Sequence, residues 1–310
     1  MAFSLGTLTA YVNQNKLPLI TRTLLGSKTA SLMNLQTGIK YKAAINILAT
    51  TAQFQAGSCT WNASGTTSIT QREIEVVPHQ VMESLCIDDL NQYFINEKLK
   101  AGSINPTDIP FEQQYTDLKA DYIASQLEIE YWQGDTTSWN ANINKFNGWI
   151  RVIDTAAASV NGNPTAITTG TGITASNVVG IMNGIYALIP PQVLRAPDMA
   201  IFCGTDTFRT WAQAVVTANL FAYNGQTNPN FELVIPGTNV KVYGLDGLTG
   251  TNRIFAGRTS NFYIGTDLSE DMERFSMIPD SHMLSMEFLA KFKAGVQVAF
   301  PNEIVSFKLV

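Results

Sequence analysis

Hydrophobic and polar positions change their spacing several times along this chain, and each change predicts a different element. Residues 1–42 show no sustained period and read as an arm, with one short helix around Thr21 to Leu25. The stretch "AAINILATTAQFQAGSCTWNASGTTSITQREIEVV" then sets β-branched runs on either side of a Gly-, Ser- and Asn-rich middle. That is the pattern of a long two-stranded excursion. An isolated hairpin is marginal in water, so this one needs another surface to lie on. After "VMESLCIDDLNQYF" and the breaker-rich "KAGSINPTDIP" comes the strongest helix, "FEQQYTDLKADYIASQLEIEYWQG". Phe111, Tyr115, Leu118, Tyr122 and Ile123 fall at helical spacing, Asp108 and Pro110 suit its start, and Gly134 suits its end. At ~1.5 Å per residue it runs roughly 35 Å, the length of a spine for a flat domain.

The middle of the chain reads as a separate α/β unit. A helix, "ASNVVGIMNGIYALI", stops at Pro190 and Pro191. The strand "DMAIFCG" leads into a second helix, "TDTFRTWAQAVVTA", with Thr205 as its expected cap. "FELVIPGTNVKVYGLDGL" gives two strands around a Pro-Gly turn, and "NRIFAGRTSNFYIG" gives another pair. The tail, "MLSMEFLAKFKAGVQVAFPNEIVSFKLV", alternates like a strand, with Val296, Val298 and Phe300 on one face. A spine helix before the α/β unit and strands after it describe one domain interrupted by another, an α+β chain.

Composition narrows the class of function. The 310 residues are 45% hydrophobic and 15% charged, with mean hydropathy +0.03. No stretch approaches the roughly 20 apolar residues that span a bilayer, and the N-terminus lacks the pattern of a secretion signal. Cys59, Cys86 and Cys203 are odd in number and far apart, so reduced thiols are expected, not a disulfide framework or a zinc site. Net charge is −5, but its distribution is uneven. Lys16, Arg22, Lys28, Lys40, Lys42 and Arg72 all precede the first acid, Glu73, which leaves −11 for the rest. A basic leader ahead of an acidic body fits an arm that lies on something acidic.

Catalytic motifs are scarce. "GSKT" at Gly26 to Thr29 lacks the earlier glycine of a phosphate loop. "GTGITA" at Gly170 to Ala175 follows no buried strand, so a loop ending in a helix cap is the better reading. His79 and His282 have no nearby Cys or second His and read as structural or surface residues. Asp88 and Asp89 are adjacent and so point in different directions, while the sequon at Asn62 has no signal peptide to give it meaning. The one acid-rich stretch is "GTDLSED" and its neighbours: Asp267, Glu270, Asp271 and Glu273. These are either a site for a hard cation or acid/base chemistry, or the polar punctuation of a turn.

Four segments in order resemble the major capsid proteins of tailed bacteriophages, the Hong Kong 97-type fold. They are "EIEYWQGDTTSWNANINKFNGWIRVID", with a spine helix, a Gly-Asp turn and a Phe-x-Gly-Trp strand; "IYALIPPQVLRAPDMAIFCGTDTFRTWAQA"; "GTNVKVYGLDGLTGTNRIFAGRTSNFYIGTDLSED"; and "KFKAGVQVAFPNEIV". The resemblance implies an N-terminal arm at 1–42, an extended loop at 43–78, a peripheral domain at 79–150 and 268–310, and an axial domain at 151–267. It implies self-assembly into hexamers and pentamers of an icosahedral shell around double-stranded DNA, formed in the bacterial cytoplasm. Scaffold, portal and decoration proteins are the implied partners, with no cofactor and no enzymatic activity. Lys16, Arg22 and Lys28 on the arm and Phe54, Trp61 and Arg72 on the loop become the subunit-interface candidates. The acids from Asp267 to Glu273 become turn formers and a solvated or subunit-facing edge. Two departures stand out. The arm begins almost at Met1, so a separate scaffold or none is expected, and no lysine lies between Lys42 and Lys98, against loop cross-linking. A nanocompartment shell of the encapsulin type, another virion component, and an enzyme built on the acidic stretch are the alternatives.

Overall fold

The structure, a computed structural model, describes residues 22–24, 26–57, 59, 63–86, 111–218, 231–267, 274–280 and 285–310. Two sheets organise it. The first has five strands: β1 (Asn34–Gln36), β4 (Val77–Cys86), β10 (Phe262–Thr266), β11 (Arg274–Asp280) and β12 (Ser285–Val298). The 14-residue β12 is its axis, pairing antiparallel with β10 and β11 in turn along one side and with β4 along the other. Phe288, Ala290, Phe292, Ala294, Val296 and Val298 alternate along β12 and are all buried, the period-2 signal of a core-facing strand. Against that face packs α2 (Phe111–Gln133), the spine helix, 23 residues and so roughly 35 Å long.

The buried stripe of α2 is Ala120, Ile123, Ala124, Leu127 and Tyr131 together with Trp132. This corrects the face read from the sequence, because Leu118 and Tyr122 point outward. Helical spacing allowed either stripe. Ile123, Leu127, Tyr131 and Trp132 carry the stripe into the main core, while the small Ala124 lies beneath Gly26 of the leading segment.

The second sheet has six strands in the order β5–β13–β9–β6–β8–β7: β5 (Val160–Asn161), β13 (Val305–Phe307), β9 (Ile254–Arg258), β6 (Met199–Gly204), β8 (Lys241–Leu245) and β7 (Glu232–Val234). Every residue of β6 is buried, as a central strand covered on both faces requires. It runs parallel to β8, and the connection carries α6 (Thr205–Thr217). Helix α4 (Val178–Leu188) and the short α5 (Pro191–Leu194) complete that layer, where Ile181, Met182, Ile185, Phe208 and Trp211 close a second core. Helix α4 stops one residue before the prolines, as expected.

Aromatic rings join the two units. The Trp132 ring lies 4.8 Å from Trp149 and within 6 Å of Phe202, Phe255 and Phe262, so the spine, both sheets and α3 (Trp149–Ala156) meet in one cluster. Gly247 permits the contact, since a Cβ there would collide with the Glu128 carbonyl and the Trp132 ring.

Several sequence expectations are corrected. The Phe-x-Gly-Trp segment opens helix α3 behind an extended Gly148 and is not a strand. Gly204, not Thr205, is the N-cap of α6, and the Thr205 hydroxyl bonds instead to that of Thr249 at 2.7 Å. The strands of "NRIFAGRTSNFYIG" do not pair with each other: β9 joins the six-stranded sheet and β10 the five-stranded one. The last strand, β13, lies in the six-stranded sheet, away from β12. Pairing partners are set by the approach of remote segments, which local alternation does not encode.

Candidate subunit-interface surfaces

Strands β2 (Lys42–Thr51) and β3 (Thr66–Glu75) pair only with each other over ten residues each, forming a two-stranded ribbon. Directly opposed residues share a face. One face carries Ala43 with Ile74, Ile45 with Arg72 and Ile47 with Thr70. At the base of the ribbon this face is covered: Ile45, Ile47, Ile74 and Val76 bury with Ile39 and Ala299 in a small separate core. The other face carries Leu48 opposite Ile69, 64% and 69% exposed. Beyond them threonines face each other, with the Thr51 and Thr66 hydroxyls 2.7 Å apart. Phe54 near the tip is fully exposed at 101%. The outer half of the ribbon thus has no core of its own, as the sequence predicted.

The base is fixed by glycine. Gly295 of β12 pairs with Gly265 of β10, and the ribbon crosses above them. A Cβ on Gly295 would fall well inside contact distance of the Glu75 carbonyl oxygen, and one on Gly265 would meet the ends of Ile74 and Val76 at 2.9 Å. The amide of Gln297 adds a 2.6 Å bond to the Glu73 carbonyl. The sequence signal was present as an isolated glycine in "KAGVQV", which marks a close backbone approach.

The interface candidates separate clearly. Arg72 is half-buried against the subunit's own β12 and donates to the Gln297 side chain at 3.4 Å, and burial lowers its pKa. Arg22 forms a two-pronged pair with Asp121 at 2.6 Å and reaches Asp117 at 3.0 Å, both on the spine helix. Lys28, in α1 (Lys28–Leu32), donates to the carbonyl oxygens of Phe231 and Gly244 and sits 5.5 Å above the Tyr243 ring. Leu24, Ala30 and Met33 belong to the main core. Residues 22–24 and 26–36 of the expected arm therefore lie on their own subunit, because Leu24, Ala30 and Met33 join its core and the spine helix offers acids to Arg22. Phe54 alone among these candidates is free of intramolecular packing, while Lys16 and Trp61 lie outside the described residues.

Asp267 corrects the reading of the acidic stretch. It is 2% exposed, and Lys293 of β12 donates to it at 2.9 Å and to the Lys40 carbonyl at 2.7 Å. It belongs to a buried ion pair that ties the return of the chain to the base of the ribbon, and is not a turn former at a solvated edge. Glu270, Asp271 and Glu273 lie outside the described residues. No cluster of three or more metal-ligating side chains occurs among the described residues. No described helix is long and apolar enough to cross a membrane.

Two further buried polar ties hold the spine. Thr29 donates to Glu128 at 2.9 Å and receives the Trp132 indole N–H at 3.1 Å, and desolvation raises the Glu128 pKa. His79 lies between the Val77 carbonyl and the Glu130 carboxylate, 2.9 Å from each, and stacks on Phe292. It is a structural histidine, as the sequence indicated. After the spine, residues 135–148 form a loop pinned by its own side chains, which carries Trp139 at 102% exposure. In the sequence one tryptophan among asparagines has no periodicity to mark it.

No protein-family model and no curated protein sequence matches the chain. Solved structures do match, and they show the fold: α+β, of the Hong Kong 97 type that phage capsid structures share. The procapsid of satellite phage P4 with its size-determination protein is 12% identical, with a TM-score of 0.61 over 94% of this chain and 97% of that one. A structure of Mycobacterium phage Ogopogo is 15% identical, with a TM-score of 0.55 over 91% of each chain. A virus-like particle from Pyrococcus furiosus is 9% identical, with a TM-score of 0.52 over 94% and 96%. At these identities the likeness carries the fold alone.

Proposed function

We propose that the chain is a major capsid protein whose copies self-assemble into the icosahedral head of a tailed double-stranded DNA bacteriophage. The observation that carries this reading is the ribbon. A projecting two-stranded arm with Leu48, Ile69 and Phe54 bare is unstable on its own and needs a neighbour to lie on. In a shell fold that neighbour is another copy, and head-to-tail contacts of this kind close into rings. Five- and six-membered rings, the pentamers and hexamers of the shell, follow from the same contact with small changes of angle. In this reading the five-stranded sheet with the spine forms the peripheral domain and the six-stranded sheet the axial one. The limits expected from the sequence shift with the strands: β1 and β10 go to the peripheral side and β13 to the axial one. Residues 1–21 are left to act as the arm. The shell is placed in the virion, assembled in the bacterial cytoplasm, with scaffold, portal and decoration proteins as partners and DNA enclosed without sequence readout. The role is structural, with no reaction assigned.

Electron microscopy of the purified protein tests this. Closed shells of uniform size are expected, and replacing residues 48–69 with a short turn should leave a folded subunit that forms none. A wild-type protein that stays small and monodisperse at high concentration would overturn the proposal. Shells co-purifying with a cargo enzyme would favour a nanocompartment.

A further inference from the structure

We propose that Trp139 is an assembly anchor that inserts into a hollow beside the spine helix of a second copy of this chain. The inference rests on the shell reading and adds a contact independent of the ribbon. Its first support is the way the loop holds the residue. Asp135 accepts from both the backbone N–H and the hydroxyl of Thr137, at 2.8 and 2.7 Å, and Arg151 reaches its other oxygen at 3.1 Å. Asn147 accepts from the N–H and hydroxyl of Thr136, and Asn140 from the N–H of Asn142 at 3.0 Å. The Asp135 N–H donates to the Ile143 carbonyl and Gly148 to Gly134, which closes the loop at its neck. A loop so restrained presents its indole in one place and loses little entropy when it docks. Tryptophan is also the residue type most often found as an interface hot spot.

The second support is the hollow. Between α2, β4 and this same loop lies a cavity of about 170 Å³. Val81, Ile123, Leu127 and Phe292 give it apolar surface, Tyr122 and Gln126 line it from the helix, and His79, Gln80, Glu130 and Lys145 make its remaining side polar. About 150 Å³ is room enough for a benzene ring, so the hollow has the volume to receive an aromatic ring against its apolar side. The loop supplies part of the rim through Ala141 and Asn142, and Asn142 bonds to Gln126 at 3.4 Å. The loop's own restraints keep Trp139 out of the hollow beside it.

A knob and a fitting hole on one patch make that patch complementary to itself. Two copies related by a two-fold rotation can exchange indoles, each filling the other's hollow. A second copy is therefore the occupant. The same geometry explains why so large an apolar side chain stands fully in water on the isolated subunit.

The experiment uses the full chain. Trp139→Ala and Gln126→Phe, the latter filling the hollow from its wall, should each lower particle yield at least about tenfold. Both should melt where the wild type melts. In a background with Cys59 and Cys86 changed to Ser, chains carrying Trp139→Cys are mixed with separately made chains carrying Tyr122→Cys and then oxidised. A disulfide-linked pair containing one of each is expected. Wild-type yield from both substitutions, or no mixed pair above the level seen with a cysteine placed elsewhere on the surface, would overturn the anchor and leave the shell reading intact. If the wild type forms no particle, the shell reading falls, and the mixed disulfide alone decides whether two copies meet through Trp139.

Discussion

Changing Gly295 to Ala and, separately, Gly265 to Ala distinguishes two glycines that are direct partners in the sheet. At Gly295 the obstacle is backbone, the Glu75 carbonyl, with the Val76 Cα at 3.1 Å. At Gly265 the obstacles are the methyl ends of Ile74, Val76 and Ile39 at 2.9 to 3.1 Å, which can rotate away. Overpacking costs about 1–3 kcal/mol, and an immovable backbone puts Gly295→Ala at the upper end. Alanine regains about 0.4–1 kcal/mol by restricting the unfolded chain. The net expectation is a loss of about 2 kcal/mol for Gly295→Ala and nearly none for Gly265→Ala. In a chain of this size that corresponds to roughly 4 °C in melting temperature against less than about 1 °C. The ribbon should also tilt. A retreat on the order of 1 Å at a base about 10 Å long moves the end of a ribbon roughly 33 Å long by about 3 Å. Gly295→Ala should therefore slow assembly more than its stability loss explains, and light scattering at matched folded concentration measures this. Equal melting temperatures for the two variants, with wild-type assembly in both, would refute the idea that glycine sets the ribbon's direction.

The remaining expectations concern buried and paired groups. Burial raises the Glu128 pKa, so the folded protein favours the protonated form, and this residue's contribution to stability falls as pH rises through its folded value. Glu128→Gln keeps an acceptor for Thr29 and should melt higher than wild type at pH 7, with the gap closing below about pH 4; a gap that widens in acid would contradict this. Arg22→Gln should lower the melting temperature slightly, by the ~0–1 kcal/mol of an exposed pair, with the effect shrinking in high salt. If the substitution changed assembly rate and left the monomer untouched, Arg22 would belong to the interface and not to the spine. Desolvation pushes the Cys203 thiol far up, so a thiol reagent should spare it in the native protein and label the exposed Cys59. Labelling of both at similar rates before unfolding would show that β6 opens.

Lys293 and Asp267 show where the chain's legibility ends. By itself the sequence determined the elements whose pattern is local. The ribbon follows from β-branched runs around a polar middle, the spine from a 23-residue helix, and the central strand "MAIFCG" from unbroken apolarity. In order along the chain those elements carried enough to mark the shell fold. Local spacing is blind to what covers a face. Lys293 and Gly295 stand on the side of β12 that alternation assigns to water, and the tertiary structure buries them under the ribbon base. The charge of Arg22 and Lys28 was legible, but their partners, Asp117 and Asp121 on the spine and two carbonyls beside Tyr243, come from segments about a hundred and two hundred residues away. Only the fold brings such groups within a few ångströms, and at that distance the partner decides whether a cation holds its own subunit together or reaches for the next one.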